Sequence, residues 1–182
     1  MSKAKVVFLD RDGVINRNRE EYVLDIDEFE FMPRAIEALR LLKQNGYNIH
    51  VISNQSSVAR GLLTMEKLNQ ITEYMLGGIQ KDGAEIDSVT YCPHHPDEKC
   101  ACRKPNTGML EKVAGERGYA FKDIWFIGDR RTDIEAANRV GCKTIIVNNE
   151  DYIRTLRPEK NEVPDYTAKD LYDAVTRIVL SK

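Results

Sequence analysis

The stretch that decides the fold is Val6-Val7-Phe8-Leu9-Asp10-Arg11-Asp12-Gly13. Four consecutive apolar residues, two of them β-branched, predict a strand covered on both faces, because a half-exposed strand alternates apolar and polar positions. The run ends in two carboxylates separated by one residue, and Gly13 lets the chain turn sharply away. In an open parallel sheet, ligands bind beyond the carboxyl ends of the strands, which is where Asp10 and Asp12 fall. An ordinary strand followed by an Asp/Gly turn accounts for these eight residues equally well. What separates the two readings is whether other strands end in the same way.

Working outward, the polar stretch from Asn16 to Asp27 carries Arg17, Arg19 and Tyr22 directly above the acid pair, in position to touch a substrate. Pro33 is expected to open a helix with Ile36, Leu39 and Leu42 on one face, stopped by Gly46. Asn48 to Ile52 reads as a second strand, ending in the polar cluster Ser53-Asn54-Gln55-Ser56-Ser57. Thr64 is placed to cap a helix that buries Leu68, Ile71, Met75 and Ile79. Asp87 to Tyr91 makes a third strand, followed by a loop over Cys92 to Pro105 and a helix from near Thr107 to Gly118. Ile124 to Ile127 is a fourth strand that breaks into Gly128-Asp129-Arg130-Arg131-Thr132-Asp133. A helix through Ile134, Ala137 and Val140 ends at Gly141, and Thr144 to Val147 is a fifth strand. Glu150 to Tyr166 reads as a surface connection. Thr167-Ala168-Lys169-Asp170 resembles a capping box for a C-terminal helix over about 167–180, with Leu171, Ala174, Val175 and Ile178 inward.

Strands alternating with helices at this spacing predict an α/β fold, a Rossmann-like three-layer α/β/α sandwich on a mainly parallel sheet of five or more strands. At 182 residues the chain is expected to form one domain. A net charge of -2 argues against a nucleic-acid partner or an anionic membrane surface. The absence of a signal-type or membrane-length apolar run predicts a cytoplasmic protein, and a monomer is expected.

Superposing the strand ends brings Asp10, Asp12, Ser53 and Asp129 to one crevice. Several carboxylates together repel one another unless a cation sits among them, and hard oxygen ligands beside a phosphate suit magnesium. Asp129 is the expected ligand; Asp133 serves equally well as the acidic first turn of its helix. A phosphoryl group at such a site needs a nucleophile, a proton donor and stabilisers of its oxygens. Asp10 can attack to form an aspartyl-phosphate, and Asp12 can protonate the leaving alcohol and then activate water. The Ser53 hydroxyl and the Lys104 cation are the stabilisers.

With these residues in that order, the chain resembles the haloacid dehalogenase (HAD) superfamily of phosphatases. Asp10-Arg11-Asp12-Gly13, the strand ending in Ser53, Lys104, and Gly128-Asp129 with Asp133 match its four motifs over residues 5 to about 147. The resemblance implies Asp10 as nucleophile, Asp12 as acid/base, and magnesium held by Asp10, Asp129 and the Asp12 backbone carbonyl. No stretch is long enough for the large mobile cap of many members. Loops must then supply specificity.

Cys92-Pro93-His94 and Cys100-Ala101-Cys102 place three thiols and an imidazole within eleven residues, the ligand set of a closed tetrahedral zinc site. A disulfide is the alternative, disfavoured in a reducing cytosol. His95 is the substitute for His94, and Cys142 reads as a buried core residue. Zinc here would be structural, holding Arg103 and Lys104 over the crevice. This loop followed by Cys-Arg-Lys-Pro resembles two HAD families, phosphatases of heptose bisphosphate and of histidinol phosphate. Asn54-Gln55-Ser56, Val58-Ala59-Arg60-Gly61 and Tyr22-Val23 to Phe31 resemble the first, which implies a sugar-phosphate substrate and a place in making surface polysaccharide precursors. Ser57 replaces a usual glycine of that family, and the short gap from His94 to Cys100 is shared with the second. Expected substrate contacts are Arg19, Tyr22, Asn54, Gln55, Arg60, Arg103 and Arg130. A DNA-end phosphatase would need a basic groove with stacking aromatics, and a non-catalytic binding module would have lost an acid.

Overall fold

A computed structural model describes residues 4–148 and 160–182. Six strands, β1 (Lys5–Leu9), β2 (Tyr47–Asn54), β3 (Ser88–Cys92), β4 (Ile124–Gly128), β5 (Lys143–Val147) and β6 (Tyr166–Ala168), form one sheet in the order β3-β2-β1-β4-β5-β6, and every pair is parallel. The chain winds outward from β1 to β3, then returns to the other side of β1 and winds the opposite way. That reversal makes the end of β1 the switch point where crevices form in such sheets. Leu9 lies level with Val51 and with Ile127, so Asp10, Ser53 and Asp129 emerge at one edge.

Alternation along each strand divides the core. Val7 and Leu9 of β1 pack with Ile49, Val51, Trp125, Ile127, Ile145 and Val147 under α1 (Ala35–Gln44), α2 (Met65–Lys81) and the C-terminal helix. Val6 and Phe8 pack with Ile52, Ile124 and Phe126 under α3 (Gly108–Arg117) and α4 (Arg131–Val140). The three-layer α/β/α architecture follows from the apolar run on β1, which is buried on both sides. Among the described residues no helix is long and apolar enough to cross a membrane.

Several local expectations shift. Arg34 adopts a left-handed backbone (φ 60°), so α1 starts at Ala35 and Pro33 stands in the preceding turn. β2 runs on through Ser53 and Asn54, because both keep pairing with β3, opposite Tyr91 and Cys92. The expected capping box is a strand instead: Tyr166 to Ala168 pair with Ile145 to Val147 and satisfy the edge of β5. The C-terminal helix starts four residues after the expected 167, at Leu171, where the Asp170 side chain accepts from the backbone N–H of Asp173 at 2.8 Å. It continues as a π-helix over Ala174–Ile178 and buries the expected residues. Thr64 caps α2 as expected, accepting from the Lys67 N–H at 3.1 Å. Much of the expected surface connection from Glu150 lies outside the described residues.

Candidate active site

Asp10 leaves β1 with its backbone N–H bonded to the Ile127 carbonyl (3.0 Å) and its side chain 8% exposed. Lys104 Nζ lies 3.1 Å from Asp10 Oδ1 and 2.6 Å from Asp133 Oδ1, and donates to the Ile52 carbonyl at 2.7 Å. Its own main chain is held by Asn54, whose amide accepts from the Lys104 N–H and donates to the Lys104 carbonyl, both at 3.0 Å. A lysine from an irregular loop is thereby fixed to the end of β2.

Oxygens of Asp10, Asp129 and Asp133 lie within 4.8 Å of one another. Two glycines make this approach possible. A Cβ on Gly13 (φ +82°) would sit 2.2 Å from Asp129 Oδ2, and one on Gly128 would sit 2.4 Å from Asp133 Cβ. Burial, reinforced by Asp133 and Asp12, pushes the Asp10 carboxyl up to about 6 against the opposing pull of Lys104. Burial, then Asp10 and Asp133, pushes Asp129 up to about 8. Burial works against the Lys104 charge, and Asp10 and Asp133 outweigh it, so its pKa is raised. Three converging carboxylates exceed the charge of one lysine, and a divalent cation fits the donor set. Asp133 has one oxygen on Lys104 and accepts the Arg130 N–H with the other at 3.0 Å, which makes it a support at the start of α4. Asp10 and Asp129 remain as the side chains placed to hold a metal.

Asp12, two residues on, has the opposite electrostatics. Burial alone would raise its pKa, but the Arg11 guanidinium and hydrogen bonds from Asn16, Arg11 and Gln55 hold it below the ordinary carboxylate value.

The second cluster closes β3. Sγ atoms of Cys92, Cys100 and Cys102 are 3.2 to 3.6 Å apart, and His94 Nδ1 lies 3.5 Å from Cys92 Sγ and 3.2 Å from Cys102 Sγ. All cysteines are free, and a disulfide would require about 2.05 Å. One tetrahedral ion with metal–sulfur bonds of about 2.3 Å sets thiolates at about this spacing. His95 turns elsewhere, its ring accepting from the Asp97 N–H to cap the turn Pro96–Glu98. Cys142 is buried away from the cluster, as expected.

The carboxylates, and Cys100 of the second cluster, border a crevice of about 1000 Å³ lined also by Arg19, Tyr22, Ser53, Asn54, Gln55, Arg103 and Arg130. Arg60 is exposed and is not among the lining residues, because the turn after Ser56 carries it away. Arg17 pairs with Glu30 at 2.6 Å. Sequence reasoning missed Lys99 and Arg131, two further cations on the wall, and Arg11, a buried arginine that composition alone would place on the surface.

The HAD-hydrolase-like family model matches residues 101–174. A D-glycero-beta-D-manno-heptose-1,7-bisphosphate 7-phosphatase of Pseudomonas aeruginosa is 38% identical over 156 residues, covering 86% of this chain and 87% of its own. The chain belongs to the HAD-like heptose-bisphosphate phosphatase family. A D-glycero-D-manno-heptose-1,7-bisphosphate 7-phosphatase of Chlorobaculum tepidum is 36% identical to this phosphatase over 194 residues, covering 100% and 98%. The crystal structure of D,D-heptose 1,7-bisphosphate phosphatase from B. bronchiseptica, complexed with magnesium and phosphate, superposes with a TM-score of 0.91 at 29% identity, covering 98% and 99%. The phosphatase thus has the fold and metal-compatible crevice expected of its family.

Proposed function

We propose that the protein is a magnesium-dependent, cytoplasmic phosphatase, a single domain acting as a monomer, that removes the 7-phosphate of D-glycero-D-manno-heptose 1,7-bisphosphate. The observation that carries this reading is the Asp10 carboxylate, ion-paired with Lys104 and emerging one residue short of Ser53 and Asp129 on the neighbouring strands, at the switch point of a family member's sheet. In the first step an Asp10 oxygen forms a bond to phosphorus while the bond from phosphorus to the C7 oxygen breaks, and Asp12, which must first take up a proton from solvent because its resting form is the carboxylate, gives that oxygen its proton. Ser53 and Lys104 hold the equatorial oxygens. In the second step water attacks the aspartyl-phosphate, Asp12 takes the proton of the water, and Asp10 is regenerated as inorganic phosphate leaves. Asp10, Asp129 and the Asp12 backbone carbonyl would hold magnesium, which when bound neutralises phosphoryl charge. Cys92, His94, Cys100 and Cys102 would hold a structural zinc ion.

Charge on the crevice wall supports a substrate with a second phosphate. Arg19, Lys99, Arg103, Arg130 and Arg131 line it, against Glu20. Histidinol phosphate carries a cationic amine, for which only Glu20 of the pair Glu20 and Glu21 borders the crevice. The expected result is a higher kcat/KM on the heptose bisphosphate than on histidinol phosphate, with Arg103→Ala losing more on the bisphosphate than on a small monophosphate; the reverse preference refutes the substrate. Asp10→Asn should lose about 10⁴-fold or more in kcat, and beryllium fluoride with magnesium should bond to the Asp10 side chain in crystals. Substantial turnover by that variant refutes the covalent route.

A further inference from the structure

Both oxygens of Asp12 are engaged before any substrate arrives. Asn16 Nδ2 and an Arg11 terminal nitrogen donate to Oδ1 at 2.9 and 3.0 Å, while Arg11 Nε and Gln55 Nε2 donate to Oδ2 at 3.2 and 2.7 Å. Gln55 is the residue that links this carboxylate to the rest of the site. Its Nε2 also donates to Ser53 Oγ at 3.2 Å, and its Oε1 accepts from Arg11 at 3.2 Å. An amide nitrogen has two hydrogens, so both donors are used inside the site and none is left for a ligand. Gln55 is 3% exposed, and its backbone N–H is bonded to the Cys92 carbonyl at 2.7 Å, which fixes the residue between the ends of β2 and β3. Arg11, 1% exposed, lies over the Tyr91 ring at 5.7 Å and backs the arrangement from the interior.

We propose that Gln55, expected from its sequence position to contact substrate, is instead a positioning residue that fixes Asp12, on the leaving-group side, relative to Ser53, on the phosphoryl side, with Arg11 as its backing. The proposal rests on the acid role of Asp12 given above. When Asp10 attacks, the electron pair of the breaking bond goes to the ester oxygen, and the proton of Asp12 must arrive at that oxygen as the bond breaks. An acid out of place by about 1 Å loses most of its effect. The loss is severe for an alkyl ester, whose alkoxide is strongly basic, and slight for a nitrophenyl ester, whose phenolate departs without a proton. A residue that merely supports the fold affects both esters alike.

The test compares kcat/KM on glycerol phosphate and on p-nitrophenyl phosphate for the wild-type magnesium-loaded enzyme and for Gln55→Ala, Gln55→Glu and Asp12→Asn. This parameter ends at the first irreversible step, release of the alcohol, so hydrolysis of the aspartyl-phosphate does not enter it. Neither ester is a heptose, so the result does not depend on the proposed substrate. Gln55→Glu keeps the length of the side chain and replaces its donors by a carboxylate facing Asp12, which guards against a folding failure of the alanine variant. Expected is a loss of about 10²-fold on the alkyl ester for both Gln55 variants, with a loss at least about tenfold smaller on the aryl ester. Asp12→Asn should show the same selectivity with a larger loss. Equal losses on the two esters in the Gln55 variants, with Asp12→Asn still selective, overturn the proposal alone. No selectivity in Asp12→Asn overturns the acid role and the proposal with it. A raised KM for the heptose bisphosphate with an unchanged ester ratio would restore Gln55 as a substrate contact and also overturn the proposal.

Discussion

The carboxylate crevice and the thiol-imidazole loop each bring ligand atoms within 4.8 Å of one another, but they are held together in opposite ways. The crevice is built on the ends of β1 and β4, and a protein cation, Lys104, already balances part of its charge. The loop from Cys92 to Pro105 contains one 3₁₀ turn and takes only its first ligand from a strand. A site of the first kind keeps its shape without a metal and becomes active with one. A site of the second kind has little regular backbone behind it, so an ion bound there would add much of its constraint. The two are joined at Lys104, whose side chain belongs to the crevice and whose main chain belongs to the loop.

The strongest way to break that comparison is to remove the internal cation. Lys104→Met should lower kcat by about 10²- to 10³-fold, as for loss of an oxyanion stabiliser, and leave Asp10 and Asp133 repelling each other in the interior. Urea denaturation should register a destabilisation of about 3 kcal/mol or more. A variant with wild-type turnover would show that the crevice does not depend on Lys104.

Proton linkage sharpens the contrast next. Asp10 and Asp129 have folded-state values raised to about 6 and about 8, so the metal-free protein binds more protons than the unfolded chain. Their contribution to stability is fully present below about pH 4 and is lost as pH rises through 6 to 8. Magnesium must displace those protons, so its apparent affinity should tighten by up to about tenfold per pH unit from pH 6 to 8, measurable by calorimetry in buffers of different ionisation enthalpy. An affinity flat across that range would contradict the raised values.

The loop is tested by Cys100→Ser, expected to lower activity about tenfold by freeing a loop that a bound zinc would hold, while circular dichroism of the sheet stays unchanged. Elemental analysis should find one zinc per wild-type chain and less in the variant; a metal-free wild-type protein would refute the zinc assignment. The smallest effect belongs to the joint itself. Asn54→Ala removes two hydrogen bonds to the Lys104 main chain and should cost about 1 to 2 kcal/mol in thermal unfolding, with kcat falling a few-fold and KM less changed.

What the sequence made legible follows the same division. Asp10, Ser53 and Asp129 were readable because an apolar run that stops at a polar residue announces a strand end, and parallel strands end on one edge. The Cys/His set was readable because its spacing is local. Residues whose role depends on side-chain direction were not. Asn54 and Gln55 sit beside Ser53 and line the crevice as expected, but that Asn54 also bonds the Lys104 main chain and Gln55 the Asp12 carboxylate could not be read from their positions. Arg60 looked available until the turn from Ser56 to Gly61 carried it outward. β6 escaped notice because three residues with a central threonine resemble a helix cap as much as a strand. Its pairing is decided by the open edge of β5, which lies about twenty residues away in sequence.

The fully buried Cys92, last residue of β3, has a consequence for the order in which the molecule is made. β1, β2, β3 and all four residues of the cluster precede Ile124, the first residue of β4, so they leave the ribosome before Asp129 does. One ligand is positioned by strand pairing and the other three follow within ten residues, a short loop with a small closure entropy. The thiol-imidazole site is therefore complete at a stage of translation when the catalytic crevice has only one wall. The ligand sets for a metal at the loop and for a metal in the crevice would thus become available at different times as the chain grows.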